Sequence, residues 1–181
     1  MKPDLIIDSN ERGSLCESIE RKAKKAGLTV VRQTLVVGDY QLGGALVEAK
    51  SIPVLFQSSH SGHLWRQLDN MDANFERFFL VIHGSIAKYV AMAKRNGKKV
   101  SFSKVQSELT GTIARIMSDF ECQVFFTTDV STAAQFIVSI EEMTYPESLK
   151  QIKGLGDVRR KLLVDILTSE DPVKQERRVK R

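Results

Sequence analysis

Apolar and polar positions along the chain switch repeatedly between a period of two and a period of three to four. The run "DLIID" at residues 4–8 has the composition of a short strand. Leu15, Ile19, Ala23 and Ala26 then mark one face of a helix that Gly27 ends. A strand is expected over residues 28–35, a turn at Gly38-Asp39, a tight hairpin turn at Gly43-Gly44, and a strand over "ALVEAK". Helices are expected over residues 53–58 and 64–75. "RFFLVIHG" is a continuous apolar run, as in a central strand buried on both faces. Residues 86–95 read as a helix, followed by the basic loop "KRNGKK". A long helix runs along Val105, Leu109, Ile113, Ile116 and Phe120, before the strand "CQVFFTT" and a helix over residues 133–143. Alternating strands and helices predict an α/β layer sandwich. There is no internal repeat and no low-complexity segment.

Pro146 in "TYPES" breaks the last of these helices and divides the chain into a body, residues 1–145, and a smaller α-helical segment, residues 146–181. "SLKQIKGLGDVRRKLLVDIL" in that segment reads as helix, Gly-Leu-Gly turn, helix. Charge separates the two parts. Residues 1–148 hold 17 Lys/Arg and 17 Asp/Glu, whereas residues 149–181 hold 10 against 5, so the net charge of +5 resides at the end of the chain. A neutral body with a basic end suggests a polyanion, most often nucleic acid, contacted there; a solvated charged tail is the alternative.

The hydrophobic share of 42% and the charged share of 27% are those of a globular domain, and no apolar run approaches the ~20 residues a membrane span needs. "MKPDLIIDSNE" meets acids before any apolar segment of signal-peptide length, so an intracellular chain is expected, cytoplasmic and nucleoid-associated, or nuclear in a eukaryote. Cys16 and Cys122 are too few for a disulfide framework and have no metal-ligand spacing, which fits buried thiols in a reducing compartment. His60 and His63 lack partners for a zinc set. Trp65 is expected to pack or to edge a DNA face, and Phe78, Phe79, Phe125 and Phe126 to lie in the core.

Candidate chemistry concentrates in "VVGDYQLGGALVEAKSIPVLFQS". Side chains at i and i+2 of a strand share a face, so Glu48 and Lys50 point one way and Ala49 the other, while the hairpin returns Asp39 beside them. Carboxylates with a nearby ammonium can hold a hard divalent cation, polarise a phosphodiester and lower the pKa of a bound water. Spacing alone leaves an exposed charged hairpin with an ion pair as the alternative. Asp8, with Glu11 and Arg12 just after it, ends the first strand, and Arg66 and Gln67 stand on the helix after the Glu-x-Lys strand.

In order and interval, Asp8-Ser9-Asn10-Glu11-Arg12, "TLVVGDYQLGG", "VEAKSIPVLFQS" and "HLWRQLDNM" resemble the nuclease domain of the XPF-type structure-specific endonucleases, a family that includes the archaeal Hef nuclease. The resemblance covers roughly residues 4–145. It implies a restriction-endonuclease-like mixed sheet flanked by helices. It further implies Asp39 and Glu48 as ligands of Mg²⁺, for which Mn²⁺ can substitute, Lys50 as the catalytic lysine, and Asp8 and Glu11 as further active-site acids, Asp8 also as a ligand. Arg12, Arg66 and Gln67 would face DNA. Where the family has arginine, aspartate and arginine, this chain has Ala49, Val54 and Asn10, and its "SGHLW" replaces the usual helix-leading arginine. The tail's "IKGLGDVRRKLL" is similar to a helix-hairpin-helix, in which backbone N–H groups around Gly154 and Gly156 approach a phosphate, with Lys153, Arg159, Arg160 and Lys161 close by. Only one hairpin is visible, where the family carries two.

The function expected is Mg²⁺-dependent hydrolysis of phosphodiesters in branched DNA (forks, flaps and Holliday junctions) in repair, recombination or replication, by a homodimer implied by the resemblance. The helix around residues 113–120 would be the place to seek its interface. A non-catalytic DNA-structure-binding scaffold subunit is the alternative, and a sequence-specific restriction-type enzyme with the same core a third reading.

Overall fold

The computed structural model describes residues 3–144, excluding the side chains of residues 141–144. The boundary at Pro146 and the expected hairpin, with Lys153, Gly154, Gly156, Arg159, Arg160 and Lys161, lie outside the described residues. The elements, in chain order, are β1 (Leu5–Asp8), α1 (Ser14–Lys25), β2 (Val30–Gln33), β3 (Tyr40–Leu42), β4 (Ala45–Ser51), α2 (Ile52–His60), α3 (His63–Asn74), β5 (Phe78–His83), α4 (Ile86–Arg95), α5 (Phe102–Asp119), β6 (Gln123–Thr127) and α6 (Val130–Thr144).

The strands form one mixed sheet in the order β2-β1-β3-β4-β5-β6. β3 is antiparallel to both its neighbours, whereas β1 with β2, β4 with β5 and β5 with β6 are parallel. β4 and β5 are the most deeply covered strands, and their alternate residues feed two separate cores. Ala45, Val47, Phe79 and Val81 join Leu5, Ile7, Tyr40 and Leu42 against α1 and α6. Leu46, Phe78, Leu80 and Ile82 pack against α2, α3, α4 and α5. This is the α/β layering that the alternating pattern predicts, and the run at residues 78–82 is buried on both faces as expected. Burying each such side chain contributes roughly 1.5–3 kcal/mol.

The edges depart from the sequence reading. β2 is shorter than the strand expected over residues 28–35 and leaves Val31, Arg32 and Gln33 exposed, since nothing pairs beyond it in the sheet. At the opposite edge, Phe125 stacks on Phe136 of α6 at 3.9 Å between ring centroids. Phe126, one step along and so on the other face, is 37% exposed rather than in the core. The stripe Val105, Leu109 and Ile116 of α5 is turned into the chain's own core. Cys16 and Cys122 are buried free thiols. Among the described residues no helix is long and apolar enough to cross a membrane.

The hairpin is tuned by two glycines with different demands. Gly44 has φ +96 with open space where a Cβ would stand, while Gly38 has φ +77 and a Cβ there would lie 2.7 Å from Leu46 Cγ. Left-handed backbone costs a residue with a Cβ roughly 1–2 kcal/mol, and crowding a packed leucine adds roughly 1–3. Gly44→Ala is therefore expected to lower stability by about 1 kcal/mol and Gly38→Ala by about 3, read from urea denaturation midpoints. Equal losses would show that Leu46 yields freely.

Candidate active site

Because β4 alternates between the two cores, Leu46, Glu48 and Lys50 lie on the face covered by α2 to α5, and Ala49 on the other. Glu48 and Lys50 are 2% and 5% exposed. Lys50 Nζ donates to Glu48 Oε1 at 2.6 Å, and Gln67 Nε2, reaching inward from α3, donates to the same oxygen at 3.0 Å. Among the described residues, Glu48 Oε2 and Gln67 Oε1 are buried and have no hydrogen-bond partner. An orphaned buried oxygen is costly, and in native proteins it accompanies strain, a catalytic role, or a place for a water or an ion.

Asp39 is delivered by the hairpin. Tyr40 pairs with Val47 in the register of β3 with β4, so the preceding residue stands opposite Glu48. Its N–H donates to Val47 O at 2.8 Å, and its Oδ2 accepts from Ala49 N at 2.7 Å. Burial, then the charge of Glu48, pushes the Asp39 carboxyl up to about 8. Glu11, in the loop after β1, is also raised, by burial first, and hydrogen bonding to Tyr40 and Asp39 partly offsets this. The Tyr40 hydroxyl donates to Glu11 Oε2 at 3.3 Å and is itself held far above the usual phenol range by burial and by Glu11. Three carboxyls and one ammonium thus share one electrostatic environment.

Asp8 lies near this cluster but its oxygens are engaged locally. Oδ1 accepts from Asn10 N at 2.8 Å and Oδ2 from Leu35 N at 2.7 Å, and these bonds, Leu35 first, hold its carboxyl below the usual range. It ties the loop after β1 to the loop before Asp39. Among the described residues no three His, Cys, Asp or Glu side chains are grouped to hold a metal, so Asp8, Asp39 and Glu48 do not form a ready three-carboxylate shell. Magnesium commonly keeps several waters and takes one or two carboxylates, and the pair Asp39 and Glu48, with its orphaned oxygen, fits that demand.

The remaining expected residues are dispersed. Arg12 is exposed and its Nη1 donates to the carbonyl of Glu11 at 2.7 Å, while Arg66 lies exposed on α3 beside the inward-turned Gln67. Ala49 is half-buried with its N–H spent on Asp39, and Val54 is 46% exposed on α2. Neither His60 nor His63 joins a metal set; His60 Nε2 lies 2.9 Å from Glu108 Oε1. Trp65 carries the Arg115 guanidinium 4.0 Å from its ring centroid and donates to Ser59 O. Tyr40 was not singled out by its residue type, yet the alternation of β3 turns it inward, and its position directly after Asp39 is the signal that could have revealed it.

A six-stranded mixed sheet carrying an acid–acid–lysine cluster at one hairpin defines a class of α/β domain with a charged, buried site. The ERCC4 domain family model matches residues 7–140, and the chain belongs to that family, the XPF-type nuclease family. It is 34% identical over 113 residues to the DNA repair endonuclease XPF of Cricetulus griseus, covering 60% of this chain and 12% of the relative. It is 36% identical over 110 residues to the DNA repair endonuclease XPF of Mus musculus, covering 59% of this chain and 12% of that one. The chain thus spans about an eighth of the length of these relatives. Among solved structures, XPF from Aeropyrum pernix superposes with a TM-score of 0.58 at 15% identity, covering 93% of this chain and all of that one. XPF from Aeropyrum pernix in complex with DNA superposes with a TM-score of 0.61 at 19% identity, covering 92% and 80%. These likenesses show the fold.

The raised carboxyl has a consequence for stability. Asp39 has an ordinary value of 3.8 and about 8 in the fold, so between those pH values the folded chain binds more protons than the unfolded one. Stability is then lost as pH rises from about 4 to about 8 and is level beyond. In EDTA, Asp39→Asn should therefore gain on the wild type progressively across that window in denaturation midpoint. A difference independent of pH would show that Asp39 ionises freely.

Proposed function

We propose that this chain is a metal-dependent DNA endonuclease that hydrolyses phosphodiesters in branched DNA, using Mg²⁺ or Mn²⁺ held by Asp39 and Glu48. The observation that carries this reading is the buried, unpartnered Oε2 of Glu48 beside a second carboxyl and an ammonium. The bound cation would polarise the phosphoryl group and make a water nucleophilic near neutral pH. Lys50, fixed by Glu48, offers its remaining protons to a phosphoryl oxygen or to the attacking water as negative charge develops. Gln67 holds Glu48 Oε1, which leaves Oε2 as the oxygen that would take the metal. Glu11 shares hydrogen bonding with Asp39 and Tyr40 and is the group suited to receive or relay a proton. Asp8 fixes the loop that carries Asp39, and Arg12 and Arg66 are exposed cations available to phosphates. The tail, through Lys153, Gly154, Gly156, Arg159, Arg160 and Lys161, would grip the DNA backbone, and the working form is a homodimer.

The second reading, a DNA-structure-binding subunit without catalysis, is favoured by Ala49 and Val54 in place of charged family residues. Cleavage of labelled fork, flap, four-way junction and linear duplex DNA with Mg²⁺, Mn²⁺ or EDTA separates the two. Metal-dependent cutting of the branched substrates is expected. Asp39→Ala and Glu48→Ala should each lower the rate by a factor of 10² or more, as loss of electrostatic stabilisation does, with DNA affinity nearly kept. Full activity in either variant would sink the assignment, and binding without cutting under any metal would leave the scaffold reading. Recurring cuts at one sequence in linear plasmid would instead point to the restriction-type enzyme.

A further inference from the structure

Although residues 1–148 carry equal numbers of cationic and anionic side chains, the charges are not evenly spread. Between Glu76 and Glu108 there is no acid, while Lys88, Lys94, Arg95, Lys98, Lys99 and Lys104 all fall in that interval. Four of these lysines, Lys94, Lys98, Lys99 and Lys104, line one open cavity of about 590 Å³ where α4 passes into α5. None of the four has an ion-pair partner among the described residues.

The backbone keeps these lysines convergent. Gly97 takes φ +75, Gly97 N donates to Lys94 O and Lys98 N to Ala93 O, both at 3.0 Å. Ala93 is buried and Val100 packs on the core below. Ser101 Oγ accepts from Lys104 N at 3.2 Å, which fixes the start of α5. Four exposed ammonium groups gathered at this junction of two helices make a local positive field that favours an anion with several charges at matching intervals. The cavity lining has no aromatic side chain on which a base could stack.

The cavity adjoins a second one through Lys98. That second groove, of about 600 Å³ between α2 and α4, is walled by Pro53, Gln57 and Asn96 and, unlike the lysine cavity, by the rings of Phe56, His60 and Tyr89. α2 follows β4 without a loop and is nine residues long, so it spans roughly 14 Å.

We propose that the lysine cavity between α4 and α5 is a second DNA contact, gripping the phosphate backbone of a duplex arm next to the cleaved branch. That the polyanion is DNA rests on the nuclease reading above. The contact is of the positioning kind: lysine point charges on phosphates, carrying no sequence information.

The test is binding of the full chain to labelled fork, linear duplex and single-stranded DNA in EDTA across a salt series, beside cleavage of the fork in Mg²⁺. Lys98→Ala, Lys99→Ala and Lys104→Ala combined should weaken fork and duplex binding about tenfold or more. The slope of log affinity against log salt should fall by about two to three, close to 0.9 per lost phosphate contact. The corresponding triple Lys→Arg variant keeps the charge and should keep both values, which excludes a folding defect as the cause. An unchanged slope in the alanine variant, or a loss confined to single-stranded DNA, overturns the proposal. Lysine-dependent duplex binding in a chain that never cuts supports the cavity and sinks the nuclease reading, whereas a wild type that binds no DNA removes both.

Discussion

Taking Glu48 and Lys50 out of water, with the half-buried carboxyl of Asp39 opposite them, is the constraint around which the rest of the chain is arranged. A buried charge costs several kcal/mol unless its partners are close and well oriented. Glu48 meets that condition on one oxygen only, through Lys50 and Gln67, and its other oxygen has none. Asp39 answers the same crowding by holding its proton far above the ordinary carboxylate range. The domain can tolerate this because both neighbours of the hairpin are firmly packed: β1 on one side and β5, buried from Phe78 to Ile82, on the other. The site is a place where local stability has been given up and the surrounding sheet holds the geometry.

Much of that arrangement was legible in the chain itself. Period-two alternation in "ALVEAK" gives the shared face of Glu48 and Lys50, and Gly43-Gly44 gives the hairpin that returns Asp39, because both depend on neighbours in sequence. What is settled by distant contacts was not legible. Gln67 reads as a group that could support the site or meet a phosphate, and only the packing of α3, which turns its amide to Glu48, separates the two. Asp8 reads as an active-site acid, and the sequence does not reveal that it also staples two loops by accepting from the N–H groups of Asn10 and of Leu35, 27 residues away. Phe126 reads as core because its run is apolar, and only the strand order reveals that β6 is an edge.

Net charge proved a poor summary of the body for a related reason. A sum over residues 1–148 is zero, yet Asp8, Glu11, Asp39 and Glu48 gather around the hairpin while cations gather where α4 meets α5. Opposite fields at separate places cancel in a count and not in space. A ligand that is both polyanionic and metal-bearing meets attraction at each place by a different means: ammonium groups at one, and carboxylates through a cation at the other.

The alternation of β4 between two cores also limits how this part of the domain can vary. A change in length at most surface turns is absorbed by the turn. Here, removing or adding one residue at Gly43-Gly44 while keeping the strand's pairing would invert the faces of the whole strand. Glu48 and Lys50 would enter the apolar layer under α1 and α6, and Leu46 would be exchanged for Val47 at the other. The two-glycine turn is therefore a ruler rather than a hinge. Lineages of this domain should diversify by substituting side chains such as those at positions 49 and 54 and leave that loop's length alone.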